Sequence, residues 1–310
     1  MKRILLAVDG STPAQYAVEE VARAGWPEGT IVRIVSVAEF PDLSLPSGMP
    51  HQMSSYAGAD KAFEERAEEN LTQAISTFAE IAGADIEVIS KVLRGDPKSA
   101  ILDEAKAWRA NLIAVGTHGY NAFERFWLGS VSRAIVAHAN CSVLISRKPH
   151  HRSNGNTPYR VLLCVDGSEF GDRAVKEVAT RKWARDTEIK VVSVADLSFA
   201  TIPNVWALPD NYFEEIEQLQ RHQAKKALAN AMEQLTQQNK AKVEPARLYD
   251  EVVTGPVKQS LLDFARENEI SLIVAGSHGR HGFDTFLMGS VSQGLAFQAP
   301  CSVLIVRKDS

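Results

Sequence analysis

The chain has 310 residues, 45% hydrophobic and 23% charged, with a formal net charge of −4. That length points to two domains able to bury ordinary cores. The mild negative charge without a long basic run argues against nucleic-acid binding, and no stretch approaches the ~18 apolar residues that suggest a membrane span.

Residues 2–8 (KRILLAV) form a short apolar run, the pattern of a strand covered on both faces. The run is too short for a secretion-signal core, so no leader is expected. Asp9-Gly10-Ser11 reads as a turn, with Ser11 as N-cap and Pro13 in the first helical turn. Ala14, Ala17, Val18, Val21 and Ala22 recur at helical spacing, and Gly25 ends the helix. The β-branched run at 31–40 predicts a second strand. After a loop rich in Pro, Ser and Gly, a long helix follows over about 60–82, its interleaved charges marking a solvated face. A third strand (86–95), a Gly95-Asp96-Pro97 turn and a third helix (about 97–110) come next. LIAVG (112–116), a glycine-containing loop, a helix over about 130–139 and a strand at 143–147 complete the series. The polar stretch 148–158 (KPHHRSNGNTP) reads as a linker.

The series then repeats. Residues 159–165 lead to Asp166-Gly167-Ser168, and Ala174, Val175, Val178 and Ala179 restate the first helix at an offset of 157. Strands are predicted at 189–198, 246–255, 272–276 and 303–307, and helices near 210–239, 256–269 and 290–298. The sequence therefore divides into domains at 1–147 and 159–310. Each alternates strands and helices, which calls for an α/β fold, a five-stranded parallel sheet with helices on both faces. In a Rossmann-like strand order of 3-2-1-4-5, strands one and four flank the switch point where ligands bind. Their ends carry Asp9-Gly10-Ser11 and the glycine loop.

That loop is the most distinctive feature. LIAVGTHGYNAFERFWLGSVS and LIVAGSHGRHGFDTFLMGSVS share Gly-x-x-Gly, nine residues, then Gly-Ser-Val-Ser, at a constant offset of 160. The glycines are Gly116, Gly119 and Gly129, then Gly276, Gly279 and Gly289. Glycines let backbone N–H groups approach a phosphate closely. Ser130, Val131 and Ser132, like Ser290, Val291 and Ser292, open a predicted helix whose free N–H groups and dipole favour an anion, with serine hydroxyls as further donors. A plainer reading stays open: the glycines are turn residues, Ser130 and Ser290 are N-caps, and Asp9 and Asp166 only form turns. There is no GxxxxGK[ST] and no GxGxxG after the first strand. The histidines lack metal-ligand spacing. His118 and His278, inside the turns, suit loop packing or a ligand-side hydrogen bond. Cys141, Cys164 and Cys301 read as reduced, buried thiols. No nucleophile–base set is visible.

Gly-x-x-Gly, nine residues and Gly-Ser, joined to an early Asp-Gly-Ser, resembles the universal stress protein family, over nearly the whole chain and twice. The resemblance implies two tandem domains of the adenine nucleotide α hydrolase-like fold and binding of ATP with Mg2+. It implies that Asp9 and Asp166 face adenine and ribose, and that backbone at Val37 and Val194 contacts adenine. Gly116, His118, Gly119, Gly129, Ser130, Val131 and Ser132 would line ribose and phosphates, as would Gly276, His278, Gly279, Gly289, Ser290, Val291 and Ser292. It further implies a cytoplasmic, nucleotide-responsive stress regulator or chaperone-like factor without efficient catalysis. The apolar fifth strand, read as a sheet edge, predicts pairing between the halves, and the family resemblance suggests a homodimer. Two alternatives remain: a scaffold that binds no nucleotide and acts through partner surfaces, and a weak ATPase or adenylyl-transferring enzyme.

Overall fold

The computed structural model describes residues 1–39, 56–82, 86–117, 128–148, 158–184, 186–197, 210–240, 246–280 and 288–308. His118, Gly119, most of the linker and both nine-residue loop interiors lie outside the described residues. The first half runs β1 (Arg3–Ala7), α1 (Thr12–Arg23), β2 (Ile31–Ala38), α2 (Tyr56–Ile81), β3 (Glu87–Arg94), α3 (Pro97–Trp108), β4 (Leu112–Gly116), α4 (Ser130–His138) and β5 (Ser142–Ser146). The second runs β6 (Arg160–Cys164), α5 (Glu169–Thr180), β7 (Glu188–Ala195), α6 (Asp210–Lys240), β8 (Arg247–Thr254), α7 (Val257–Glu267), β9 (Leu272–Gly276), α8 (Ser290–Gln298) and β10 (Ser302–Val306).

Within each half the strands are parallel, in the order 3-2-1-4-5. The near-continuous apolar runs are explained by cover on both faces. Ile4 and Leu6 of β1 pack under α1 and α2, whereas Leu5 joins the core beneath α3 and α4. Both cores continue through the second half, so each is one layer spanning the whole sheet.

The fifth strand is not an edge. β5 and β10 pair antiparallel, with Leu144 opposite Leu304, and fuse the halves into one ten-stranded sheet. This fulfils the predicted pairing, and it consumes the edge within the chain. The outermost strands are β3 and β8. Their charged residues, among them Lys91, Arg94, Arg247 and Asp250, suit an edge that resists further pairing.

A second set of contacts ties the halves together beside α1 and α5. Lys182 N–H donates to the Gly25 carbonyl at 2.6 Å. Gly25 has φ +60°, and a Cβ there would meet the Lys182 carbonyl, so its glycine does more than end α1. Arg181 is 1% exposed, stacks 3.9 Å over the Trp26 ring and bonds Glu177. Tyr159 hydrogen-bonds Glu20 across the same junction.

Candidate functional site

The site grows from two turns at the ends of adjacent strands. After β6, Gly167 adopts φ +77°, a conformation that favours glycine. This turn lets Asp166 Oδ1 accept from both the N–H (3.0 Å) and the hydroxyl (2.6 Å) of Ser168. Ser168 in turn caps α5 by accepting from Gly171 N–H at 3.0 Å. Asp9 and Ser11 repeat the arrangement, with bonds of 3.0 and 2.5 Å. The aspartate is thus a turn former through one oxygen. Its other oxygen is turned elsewhere: a Cβ on Gly279 would stand 3.0 Å from Asp166 Oδ2.

The neighbouring strand ends at Gly276. A Cβ there would lie 2.6 Å from the backbone carbonyl of Phe170, in the first turn of α5. Gly116 has the same constraint against Pro13. These two glycines are therefore required by the close approach of helix to strand, whether or not they also border a ligand.

The Gly-Ser-Val-Ser segment corrects two expectations. The N-cap of α8 is Gly289, not Ser290, and the N-cap of α4 is Gly129, not Ser130. Ser130 and Ser290 are the first helical residues, with exposed side chains. The second serines are not spare donors either. Ser292 Oγ donates to the Gly276 carbonyl at 2.7 Å, and Ser132 Oγ to that of Gly116 at 2.6 Å. Gly289 N–H is likewise committed, to the Ser277 carbonyl. What remains for an anion is the first turn of α8: no side chain caps it, and its N–H groups have no intrahelical acceptor.

These pieces enclose a cavity of about 460 Å³ in the second half. Asp166, Val194, Gly276, His278, Gly279, Gly289, Ser290, Val291 and Ser292, all predicted from the sequence, line it. Its lining is apolar at Cys164, Val192, Val257, Leu261, Ala275 and Leu295, and polar at Asp166, His278, Ser290 and Ser292. Such a mixed lining suits a ligand that carries both a planar ring and an anionic group. His278 packs its ring against Phe170, with centroids 4.9 Å apart, and its Nδ1 lies 3.1 Å from Ser277 Oγ. Burial pushes the Cys164 thiol far up, with Cys301 and Asp166 adding to the effect, so it stays protonated and is no nucleophile at neutral pH.

In the first half, Asp9, Gly116, Gly129, Ser130, Val131 and Ser132 hold the equivalent backbone arrangement around β1, β4 and α4. Val37 is half-buried near the end of β2, opposite Leu93 of β3.

The sequence profile of the universal stress protein family matches residues 1–147 and again 159–307. The chain belongs to the universal stress protein family. Its two matches make it a tandem member. A universal stress protein of Mycolicibacterium smegmatis is 26% identical over 306 residues, covering 98% of this chain and 96% of that one. Among solved structures, a universal stress protein from Archaeoglobus fulgidus aligns with a TM-score of 0.61 at 20% identity, covering 98% of both chains. One from Pseudomonas aeruginosa aligns at 0.57 with 14% identity, covering all of this chain and 94% of the other. Those two likenesses bear on the fold.

Sequence reading missed part of the wall of this universal stress protein's cavity. Arg280, Gln220, Gln223 and Asp196 also line it. Arg280 donates to the side-chain oxygen of Gln223, bridging the glycine loop to α6. Arg280 directly follows Gly279, so adjacency could have flagged it. Gln220 and Gln223 lie one turn apart on α6, a spacing common to any helix face.

Proposed function

We propose that this universal stress protein binds ATP in the second-half cavity and works as a nucleotide-responsive regulator or chaperone-like factor in the stress response. The observation that supports this reading most is the convergence of nine sequence-predicted residues on one cavity, whose lining includes the uncapped start of α8. The apolar lining residues suit adenine, and Asp166 suits ribose hydroxyls. The α8 N–H groups and Arg280 suit phosphate oxygens. Among the described residues no group of three His, Cys, Asp or Glu side chains could hold a metal. In this reading Mg2+ enters with the nucleotide, coordinated by its phosphates.

The matching turn geometry supports a second nucleotide site in the first half, with His118 and Gly119 as its remaining proposed members. Binding rather than catalysis is proposed, because the cavity's thiol is protonated and its aspartate is tied into a turn. Free cysteines support a reducing, cytoplasmic setting. A homodimer of the whole chain would need a surface other than strand five, which is already paired.

Calorimetric titration with Mg-ATP tests the reading, alongside native mass spectrometry of the purified chain. Saturable binding of one or two nucleotides supports it. No heat, no thermal shift and no copurified nucleotide would overturn it in favour of a scaffold acting through partner surfaces. Pyrophosphate release from ATP would instead favour an adenylyl-transferring enzyme.

A further inference from the structure

The helices that start at the two proposed anion sites, α4 and α8, end against the opposite half. α8 begins beside the cavity and ends near Arg147, which follows β5 of the first half. Arg147 Nη2 donates to the Ala296 carbonyl at 2.6 Å, and Nη1 to the Cys301 carbonyl at 3.3 Å. The mirror contact is also present. Arg307, which follows β10, donates through Nη2 to Val136 at 2.7 Å and through Nη1 to Ala139, at the end of α4.

Ala296 and Val136 lie among the last four residues of their helices, whose carbonyls lack intrahelical donors. Each arginine therefore satisfies an orphaned acceptor and sets a cation at the negative end of the helix dipole. It also pins the far end of a nine-residue helix, about 13 Å long. Within its own half the helix is held by Ser292 (Ser132 in α4) on the strand-end carbonyl and by its buried face. The arginine adds a hold from the other half at the far end, and the direction of the first-turn N–H groups follows the axis so fixed.

We infer that Arg147 and Arg307 are positioning residues acting across the two halves: each orients and polarises the anion-binding helix of the other half. Neither anion site is complete without the opposite half. The inference rests on the nucleotide reading above. It gives the tandem arrangement a consequence for ligand affinity, beyond simple duplication of a site.

Hydrogen-exchange mass spectrometry of the full chain, titrated with Mg-ATP, reads the two sites separately through peptides covering α4 and α8. Arg147→Met keeps much of the apolar stem and removes the charge and donors. The half-saturating ATP concentration at α8 should rise about three- to tenfold, while that at α4 stays within about twofold. Arg307→Met should reverse the pattern. Arg147→Lys, which restores the cation, should recover part of the loss at α8; a residue needed only for stability would not show this site-selective rescue. Equal weakening at both helices, or no shift at α8, overturns the inference while leaving the nucleotide reading intact. If Arg147→Met does not fold, Arg307→Met and Arg147→Lys are judged by the same criterion. No ATP protection at either helix in the unsubstituted chain overturns the nucleotide reading, and the inference falls with it.

Discussion

Lys2 and Glu177 form an ion pair that joins the two halves beside β1 and α5. The pseudo-symmetric positions, Tyr159 and Glu20, form a neutral-donor hydrogen bond instead. The junction is thus built from equivalent positions with different chemistry. Glu177 also bonds Arg181 at 3.0 Å, and Arg181 stacks on Trp26 of the other half. The buried Arg181 cation thus meets Glu177 of its own half and Trp26 of the other, adding a directional contact to the β5–β10 ladder.

Glu177 makes this junction acid-sensitive. Burial works against its charge, but Arg181 and Lys2 outweigh that and hold its pKa at about 2. The folded value lies below the unfolded one, so the stabilisation is fully present above about pH 4.5 and is lost as pH falls towards 2. Its size is on the order of 3 kcal/mol. Glu177→Gln should cost roughly that much at pH 7, because the buried Arg181 and Lys2 both lose the Glu177 carboxylate. The gap to the unsubstituted chain should close as pH approaches 2. Urea unfolding of both proteins over this pH range checks the sign; a gap that is constant with pH would contradict it.

The β5–β10 seam gives a second prediction. Leu304 is fully buried opposite Leu144 at the centre of the sheet. Leu304→Ala should cost about 3 kcal/mol through lost burial and the cavity left behind. Leu219, 53% exposed on α6, is the control: Leu219→Ala should change stability by less than about 0.5 kcal/mol. Chemical unfolding measures both. A small effect at Leu304 would mean that the seam contributes little to holding the halves together.

The fold was legible because its signals are local. LIAVG and LIVAG are fully apolar because both sheet faces are covered, and Ser11 and Ser168 announce helix starts through their own turns. The cavity was legible in the residues that repeat, since each lies at a strand end or helix start. What escaped depends on how distant elements meet. Nothing in the spacing places Gln223 opposite Arg280, Arg181 on Trp26, or Arg147 at the end of α8. Ser292 was recognised as part of the site but misread as a phosphate donor. Its hydroxyl faces the Gly276 carbonyl because the turn folds back on β9, which sequence order alone does not reveal.

The glycines of the second loop should separate packing from binding. Gly276→Ala sets a Cβ 2.6 Å from the Phe170 backbone, which cannot rotate away. A loss of about 2 kcal/mol or more is expected, a typical cost of overpacking. Among the described residues Gly279→Ala meets only Asp166 Oδ2, at 3.0 Å, and that side chain can shift. Its stability cost should stay below about 1 kcal/mol, while ATP affinity falls because the methyl group intrudes on the polar wall. Thermal melts paired with calorimetric titration test this. Equal stability losses for the two variants would refute the distinction.

Arg280 supplies the sharpest test of which end of the ligand meets the polar wall. It is exposed at the cavity lining and is held by an uncharged partner, Gln223, so its charge is available to an anion at modest desolvation cost. Arg280→Gln should weaken ATP binding about fivefold, in line with losing one charge-assisted contact near solvent. Adenosine, which lacks phosphates, should lose less than about twofold. The ATP effect should also shrink as salt is raised from 0.05 to 0.5 M, because screening weakens the contact in the unsubstituted protein. Calorimetry with both ligands across salt concentrations measures this. If adenosine and ATP weaken equally, Arg280 shapes the cavity rather than reading charge, and the phosphates must lie elsewhere.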